Sequence, residues 1–263
     1  MKLKCLILIA IPFVLLGAHF STVILAYEKK AVTAVCGVLG CCTNCSGSGT
    51  VASDPGAYAY GIDVSHWQGD EIRKTNQLSD SLSFIICKAT EGITYVDPEF
   101  DSNKVFLDSS KYYSGYYHFY RCEDSPIAQA QFYVNQVKTF GDKVLPPIVD
   151  IENQSKGSAC TAADMDSLLV FIQEVEKLTN YVPIIYTNSS FGKTNLTDSA
   201  FADYPLWVAD YSDSTPELFG GWTTWTFWQM SDHYMLGNTK NDLDVFNGNE
   251  SELKKFISKS KKS

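Results

Sequence analysis

The chain has 263 residues, with 45% hydrophobic and 19% charged side chains, 17 Gly and 9 Pro, which excludes collagen-like, low-complexity and largely disordered chains. Its net charge of −9 excludes a globally basic nucleic-acid binder, so no nucleic-acid partner is expected. The 15 Tyr and 5 Trp fit both a sugar-binding groove and an ordinary core, and composition does not separate the two.

Lys2 and Lys4 precede an apolar run from Cys5 to Leu16, and Gly17-Ala18 and Ala26 supply small residues. Residues 1–26 therefore read as a secretory signal peptide. An uncleaved anchor is the alternative, because Val23-Ile24-Leu25 is also apolar, but His19, Ser21 and Thr22 weigh against it. Either reading puts the rest of the chain outside the cytosol, secreted or in an endosomal or phagosomal lumen. With cleavage no stable membrane partner is expected. Losing Lys2 and Lys4 takes the net charge from −9 to −11.

Residues 27–57 read as a Cys-rich segment with a Gly/Ser linker. Cys36, Cys41, Cys42 and Cys45 suit a small disulfide knot in an oxidising compartment. Adjacent Cys41 and Cys42, without a nearby His, suit four-ligand zinc geometry poorly. Sequons stand at Asn44, Asn153, Asn188, Asn195 and Asn249.

Residues 58–263 read as one domain. Short apolar runs, the pattern of strands buried on both faces, fall at Ile62–Val64, Phe84–Lys88, Tyr112–Phe119, Leu145–Ile151, Val182–Thr187, Leu206–Asp210, Thr226–Gln229 and Leu243–Phe246. Helical periodicity covers Asp97–Asp108, Pro126–Phe140 and Thr161–Leu178, with Ser125 and Thr161 as N-caps. The C-terminal lysines read as a solvated helix end. Eight strands alternating with fewer helices predict an irregular α/β fold, a TIM-like β/α barrel. The last three strands are too closely spaced for full helices, so the irregularity is expected late in the chain.

Barrel sites lie at the C-terminal ends of strands. Asp63 lies in the first strand, Asp150 and Glu152 end the fourth, and Asp242 and Asp244 lie in the last. Along a strand, residues i and i+2 share a face with Cα atoms about 6.5–7 Å apart. Two carboxylates that close favour one proton between them, which leaves an acid beside a base. Glycosidic cleavage needs that division of labour. Metal binding is the alternative use of such acids, but His66, His118 and His233 show no ligand spacing, and no metal or other cofactor is expected. Cys87 lies in a buried-looking strand and does not read as a nucleophile.

The segments Gly61-Ile-Asp-Val-Ser-His-Trp-Gln68, Lys88-Ala-Thr-Glu-Gly92 with Tyr95 and Asp97, and Gly115-Tyr-Tyr-His-Phe119 form an ordered series. It continues through Leu145-Pro to Asp150-Ile-Glu152, Pro183 to Tyr186-Thr187, Pro205-Leu-Trp-Val-Ala209, Trp228-Gln229 and Asp242-Leu-Asp-Val-Phe246. In this order the chain resembles glycoside hydrolase family 25, the Chalaropsis-type lysozymes, across residues 60–250. The resemblance implies hydrolysis of the β-1,4 bond between N-acetylmuramic acid and N-acetylglucosamine in peptidoglycan. It implies Glu152 as general acid, Asp150 as the residue orienting the substrate's 2-acetamido group or as a direct partner to the acid, and Asp63 and Asp242 as further groove carboxylates. Asp242 matches the family acid better than Asp244. Tyr117, Tyr186, Trp207 and Trp228 are implied groove aromatics, each with core packing as the alternative; Lys88 and Glu91 read as supporting residues.

A secreted glycan-binding module without turnover is the alternative function. The sequon at Asn153, directly after Glu152, is expected to be unused because a glycan there would crowd the cleft. Cys122 follows the third strand and Cys160 the fourth, so a disulfide between them would brace the loop after Glu152 and leave Cys87 free. The chain is expected to act as a monomer.

Overall fold

The computed structural model describes residues 58–262, except 75–77, 80, 155–156, 158 and 213–214. The expected signal peptide, Cys-rich segment and linker, and the sequon at Asn44, lie outside the described residues. One sheet contains β1 (Ala59–Val64), β2 (Leu82–Glu91), β3 (Tyr95–Val96), β4 (Tyr113–Phe119), β5 (Ile148–Asp150), β6 (Ile184–Asn188), β7 (Leu206–Ala209), β8 (Phe227–Leu236) and β9 (Thr239–Phe246). Neighbours run β1-β9-β8-β7-β6-β5-β4-β2, and β1 pairs again with β2, closing an eight-stranded barrel. β3 is a short antiparallel addition to the end of β2, outside the ring.

All ring pairings are parallel except those of β9, which runs antiparallel to both β8 and β1. That is the late irregularity: β8 and β9 form a hairpin turning at Gly237, whose φ of 59° suits glycine. Both arms extend well beyond the expected 226–229 and 243–246, because cross-strand pairs continue out to Leu236↔Thr239.

Five α-helices are described: α1 (Phe100–Asp108), α2 (Pro126–Val137), α3 (Met165–Thr179), α4 (Ser189–Asn195) and α5 (Glu250–Lys259). Ser125 caps α2 through the Ala128 N–H, and Pro126 occupies its first position. This helix stops short of Phe140 because Lys138 turns left-handed at φ 61°. Thr161 and Asp164 form a capping box, but it opens a 3₁₀ turn that precedes α3. α1 starts at Phe100 rather than Asp97, because the Asp97 carboxylate takes the Glu99 N–H in a turn.

Strand alternation divides the core into two layers. Ile62, Ile85, Cys87, Val149, Ile185 and Val208 face outward and pack with helical residues such as Tyr133, Phe171 and Ile172. Phe84, Ile86, Ile148, Ile184, Trp207, Phe227 and Phe246 belong to a separate interior cluster. Leu253 and Ile257 of α5 join this cluster, with Phe256 packed against it, so α5 plugs the barrel floor. Lys254, Lys255 and Lys259 remain exposed on its outer face. A Cβ on Gly61 would meet the Phe84 ring at 2.2 Å, so only glycine leaves room for that ring.

Cys122 and Cys160 form a disulfide with Cα atoms 5.5 Å apart, tying the loop after β4 to the loop after β5. Cys87 is a buried free thiol.

Candidate active site

Opposite the plugged floor, the strand ends surround a cavity of about 600 Å³. Asp63, Asp150, Glu152 and Asp242 all line it, as do Tyr117, Tyr186 and Trp207. Parallel strands deliver Asp63 and Asp150 near their C-terminal ends. β9 runs the other way, so Asp242 stands directly opposite Asp63 in register, and Asp244 pairs opposite Gly61, one pleat deeper.

Gln229 organises this corner. Its Nε2 donates to Asp63 Oδ2 at 2.6 Å, while its Oε1 accepts from Tyr186 OH at 3.0 Å and Tyr211 OH at 2.7 Å. Beneath, Asp244 is fully buried and accepts the Trp207 indole N–H at 2.9 Å. On the β5 side, Asn188 caps α4 through the Phe191 N–H and reaches Glu152 Oε2 at 3.5 Å. Asp150 Oδ1 is buried without a hydrogen-bond partner among the described residues.

Burial dominates the acidities. Asp63 is pushed up to about 6 by desolvation, offset by its hydrogen bond from Gln229. Asp242 rises to about 8 through desolvation and then through the charge of Asp63. Desolvation and the charge of Glu152 push Asp150 well up; desolvation and Asp63 do the same for Asp244. Desolvation also raises Glu152, while Asn188 and the Lys88 ammonium oppose the rise. The Tyr117 and Tyr186 phenols are held well above the ordinary tyrosine range by burial and by Asp150 and Glu152. They are donors, not anions, at neutral pH. Burial thus favours the protonated form of each of these carboxyls, and their mutual charges add to it.

The opposite wall is basic. A β-bulge between Lys88 and Thr90 shifts register, so Lys88 and Glu91, three apart in sequence, both line the cavity. Lys88 Nζ donates to Glu91 Oε2 at 2.5 Å and lies 4.9 Å from the Phe119 ring centroid. Arg121 pairs with the other Glu91 oxygen through Nε at 3.0 Å and through Nη2. Its Nη1 donates to Gln154 Oε1 at 3.2 Å, and Gln154 Nε2 donates to Tyr120 O and Cys160 Sγ, each at 2.9 Å.

Trp228 does not line the cavity. On β8, Phe227 and Gln229 point inward, so Trp228 points outward; its indole N–H donates to Asp210 O at 2.7 Å and it packs against Trp225. Trp207 is inside but 2% exposed, lining the cavity bottom with its indole N–H turned to the buried Asp244. Gln229, Tyr211, Asn188 and Arg121 are cavity and supporting groups to which the sequence assigns no site role, although Gln229 closes the Trp228-Gln229 motif and Asn188 opens a sequon. The parity of Phe227-Trp228-Gln229 is the signal for Gln229; loop residues Tyr211 and Arg121 carry none. His118 is buried and desolvated down to about 3, held by Thr90 and Gln129, away from the cleft. No group of three or more His, Cys, Asp or Glu among the described residues is arranged to hold a metal ion. No helix among them is long and apolar enough to cross a membrane.

Carboxyls converging at the open end of a barrel, with their protonated forms favoured by burial, are what glycosidic cleavage needs. Residues 62–239 match the glycosyl hydrolases family 25, and the chain belongs to that family and is a glycoside hydrolase. Over 204 residues it is 33% identical to lysozyme M1 of Streptomyces globisporus, covering 73% of this chain and 69% of that protein. Over 209 residues it is 31% identical to the N,O-diacetylmuramidase of a Chalaropsis species, covering 74% and 97%. The crystal structure of a bacterial lysozyme from Streptomyces coelicolor superposes with a TM-score of 0.69 at 29% identity, covering 77% and 98% of the two chains.

Proposed function

We propose that this protein is a secreted muramidase that hydrolyses the β-1,4 bond between N-acetylmuramic acid and N-acetylglucosamine in peptidoglycan. One observation carries the reading: Asp150 and Glu152, two residues apart at one strand end, share a cavity with Asp63 and Asp242 from the first and last strands. The lysozyme and muramidase names of the relatives support the substrate class.

Glu152 is the general acid. Burial favours its protonated form, and it stands just past the end of β5 at the cavity mouth. It protonates the leaving oxygen. Asp150 accepts the N–H of the substrate's 2-acetamido group, supplying a partner for its buried oxygen. The acetamido oxygen then attacks the anomeric carbon, the substrate-assisted retaining route, and water later opens the cyclic intermediate with Glu152 as base. Asp63 and Asp242 face the ring where positive charge develops. Direct water attack with inversion, using Asp63 or Asp242 as base, is the competing route.

An acidic chain is repelled by anionic walls at neutral pH, and less so as pH falls. Together with the raised pKa values of the cleft carboxyls, this supports work in an acidic lumen such as a phagosome or gut.

The test is turbidity loss of peptidoglycan with wild type and Glu152→Gln across pH 3–8, with muramic-acid reducing ends assayed. Loss of activity in the variant supports the assignment. Wall binding without reducing ends in the wild type favours a glycan-binding module. NMR of the first product separates the routes, since an initial α anomer excludes retention.

A further inference from the structure

Trp207, Trp222 and Trp225 are each less than 10% exposed, but Trp67, which lines the cavity, is 81% exposed. An exposed indole forgoes the gain of burial, and one held in a single pose can meet a ligand without first losing its own freedom. The turn after β1 provides that hold. Ser65 and Gln68 form a capping box around residues 66–68, with Ser65 N donating to Gln68 Oε1 at 2.8 Å. Gly69 ends the turn at φ 59°. His66 is clamped from the side: its backbone N–H and its Nδ1 approach Asp97 Oδ2 at 3.1 and 2.8 Å. Asp97 is buried, and its other oxygen is fixed by the Glu99 N–H. The Trp67 ring lies on the clamped imidazole, centroids 4.6 Å apart.

We infer that Trp67 is a glycan-stacking subsite, binding the apolar C–H face of a sugar ring outside the pair whose linkage is cut. Topology supplies the span. Going round the ring, β1 lies three strands from β5 through β2 and β4, so Trp67 stands across the mouth from Glu152. A strand lying over Glu152 and crossing the mouth passes the indole. Trp67 is also flanked by polar His66, Gln68 and Asp70, which suits a pyranose with hydroxyl edges better than a lipid or an apolar protein face. The inference rests on the proposed muramidase reading.

The test compares wild type, Trp67→Ala and Trp67→Phe on soluble peptidoglycan oligosaccharides of increasing length. Trp67→Ala is expected to lose about tenfold more kcat/KM on long strands than on the shortest one cleaved, mainly through KM, with Trp67→Phe recovering most of it. Equal losses at every length, or none, overturn the subsite. Binding is read separately in Glu152→Gln protein by tryptophan fluorescence with the same strands. There, adding Trp67→Ala is expected to raise Kd about tenfold, and an unchanged Kd overturns the subsite. If wild type releases no reducing ends while Kd still depends on Trp67, the muramidase reading fails and the subsite stands.

Discussion

The two ends of the barrel interior are built by the same strands and differ in almost everything else. At the floor, Phe84, Phe227 and Phe246 meet Leu253 and Ile257 of α5 in a sealed apolar cluster. At the mouth, the same inward-facing positions two to four residues along carry Asp63, Lys88, Asp150, Gln229 and Asp242. Alternation decides which positions face in; distance along the strand decides whether they meet hydrocarbon or carboxyl. The floor supplies stability, and the mouth spends some of it to keep acids desolvated.

If that division holds, mouth and floor substitutions fail differently. Glu152→Gln should lower release of reducing ends by about 10³-fold, with its thermal transition within about 2 °C of wild type. A comparable loss of stability would erase the distinction. Phe227 packs edge-on to Phe84 and against Phe246 and Phe256, so Phe227→Ala should cost about 3–5 kcal/mol in urea unfolding. The pH profile of the activity that remains should keep its shape.

The disulfide sharpens the comparison, because it ties two mouth loops across 38 residues. Replacing Cys122 and Cys160 together by Ser should cost about 2–4 kcal/mol. It also removes the sulfur contact of Gln154, so kcat should fall further than the floor variant's at matched stability.

The smallest effect is in pH. Asp63 at about 6 and Asp242 at about 8 both lie above their unfolded values, so the folded state binds more protons. Stability from these acids is present in full below about pH 4 and is lost as pH rises through 6 and 8. Asp242→Asn should therefore raise Tm at pH 8 by about 3 °C and change it little at pH 4. A larger gain at pH 4 would reverse the sign.

Much of this was legible in the sequence. Seven parallel strands declare themselves as apolar runs, and Asp150-Ile-Glu152 places two acids on one face by period alone. The Cys122–Cys160 bridge also follows from where the strands end. The full length of the closing hairpin is not legible, because beyond Gln229 its residues are half-wet and bulged, which breaks both alternation and apolar runs. α4 is only seven residues long and carries Gly192, too short and too weakly periodic to register. In α5 the lysines dominate the pattern, although Leu253, Phe256 and Ile257 carry its packing face. The Glu91 placement depends on a bulge, which one-residue arithmetic does not foresee. For Trp228 the core-packing alternative holds, as the parity of Phe227-Trp228-Gln229 requires.

The hydrogen bond from Gln229 to Asp63 joins residues 166 positions apart. It forms only when the first strand meets the last pair, the most non-local step in the fold and so among the costliest in loop entropy. Until the ring closes, a chain with most of its helices packed has its acids in different neighbourhoods, unable to share protons or grip a sugar. Activity during refolding should thus appear after helical signal, arriving together with protection of β1 and β9 amides from exchange.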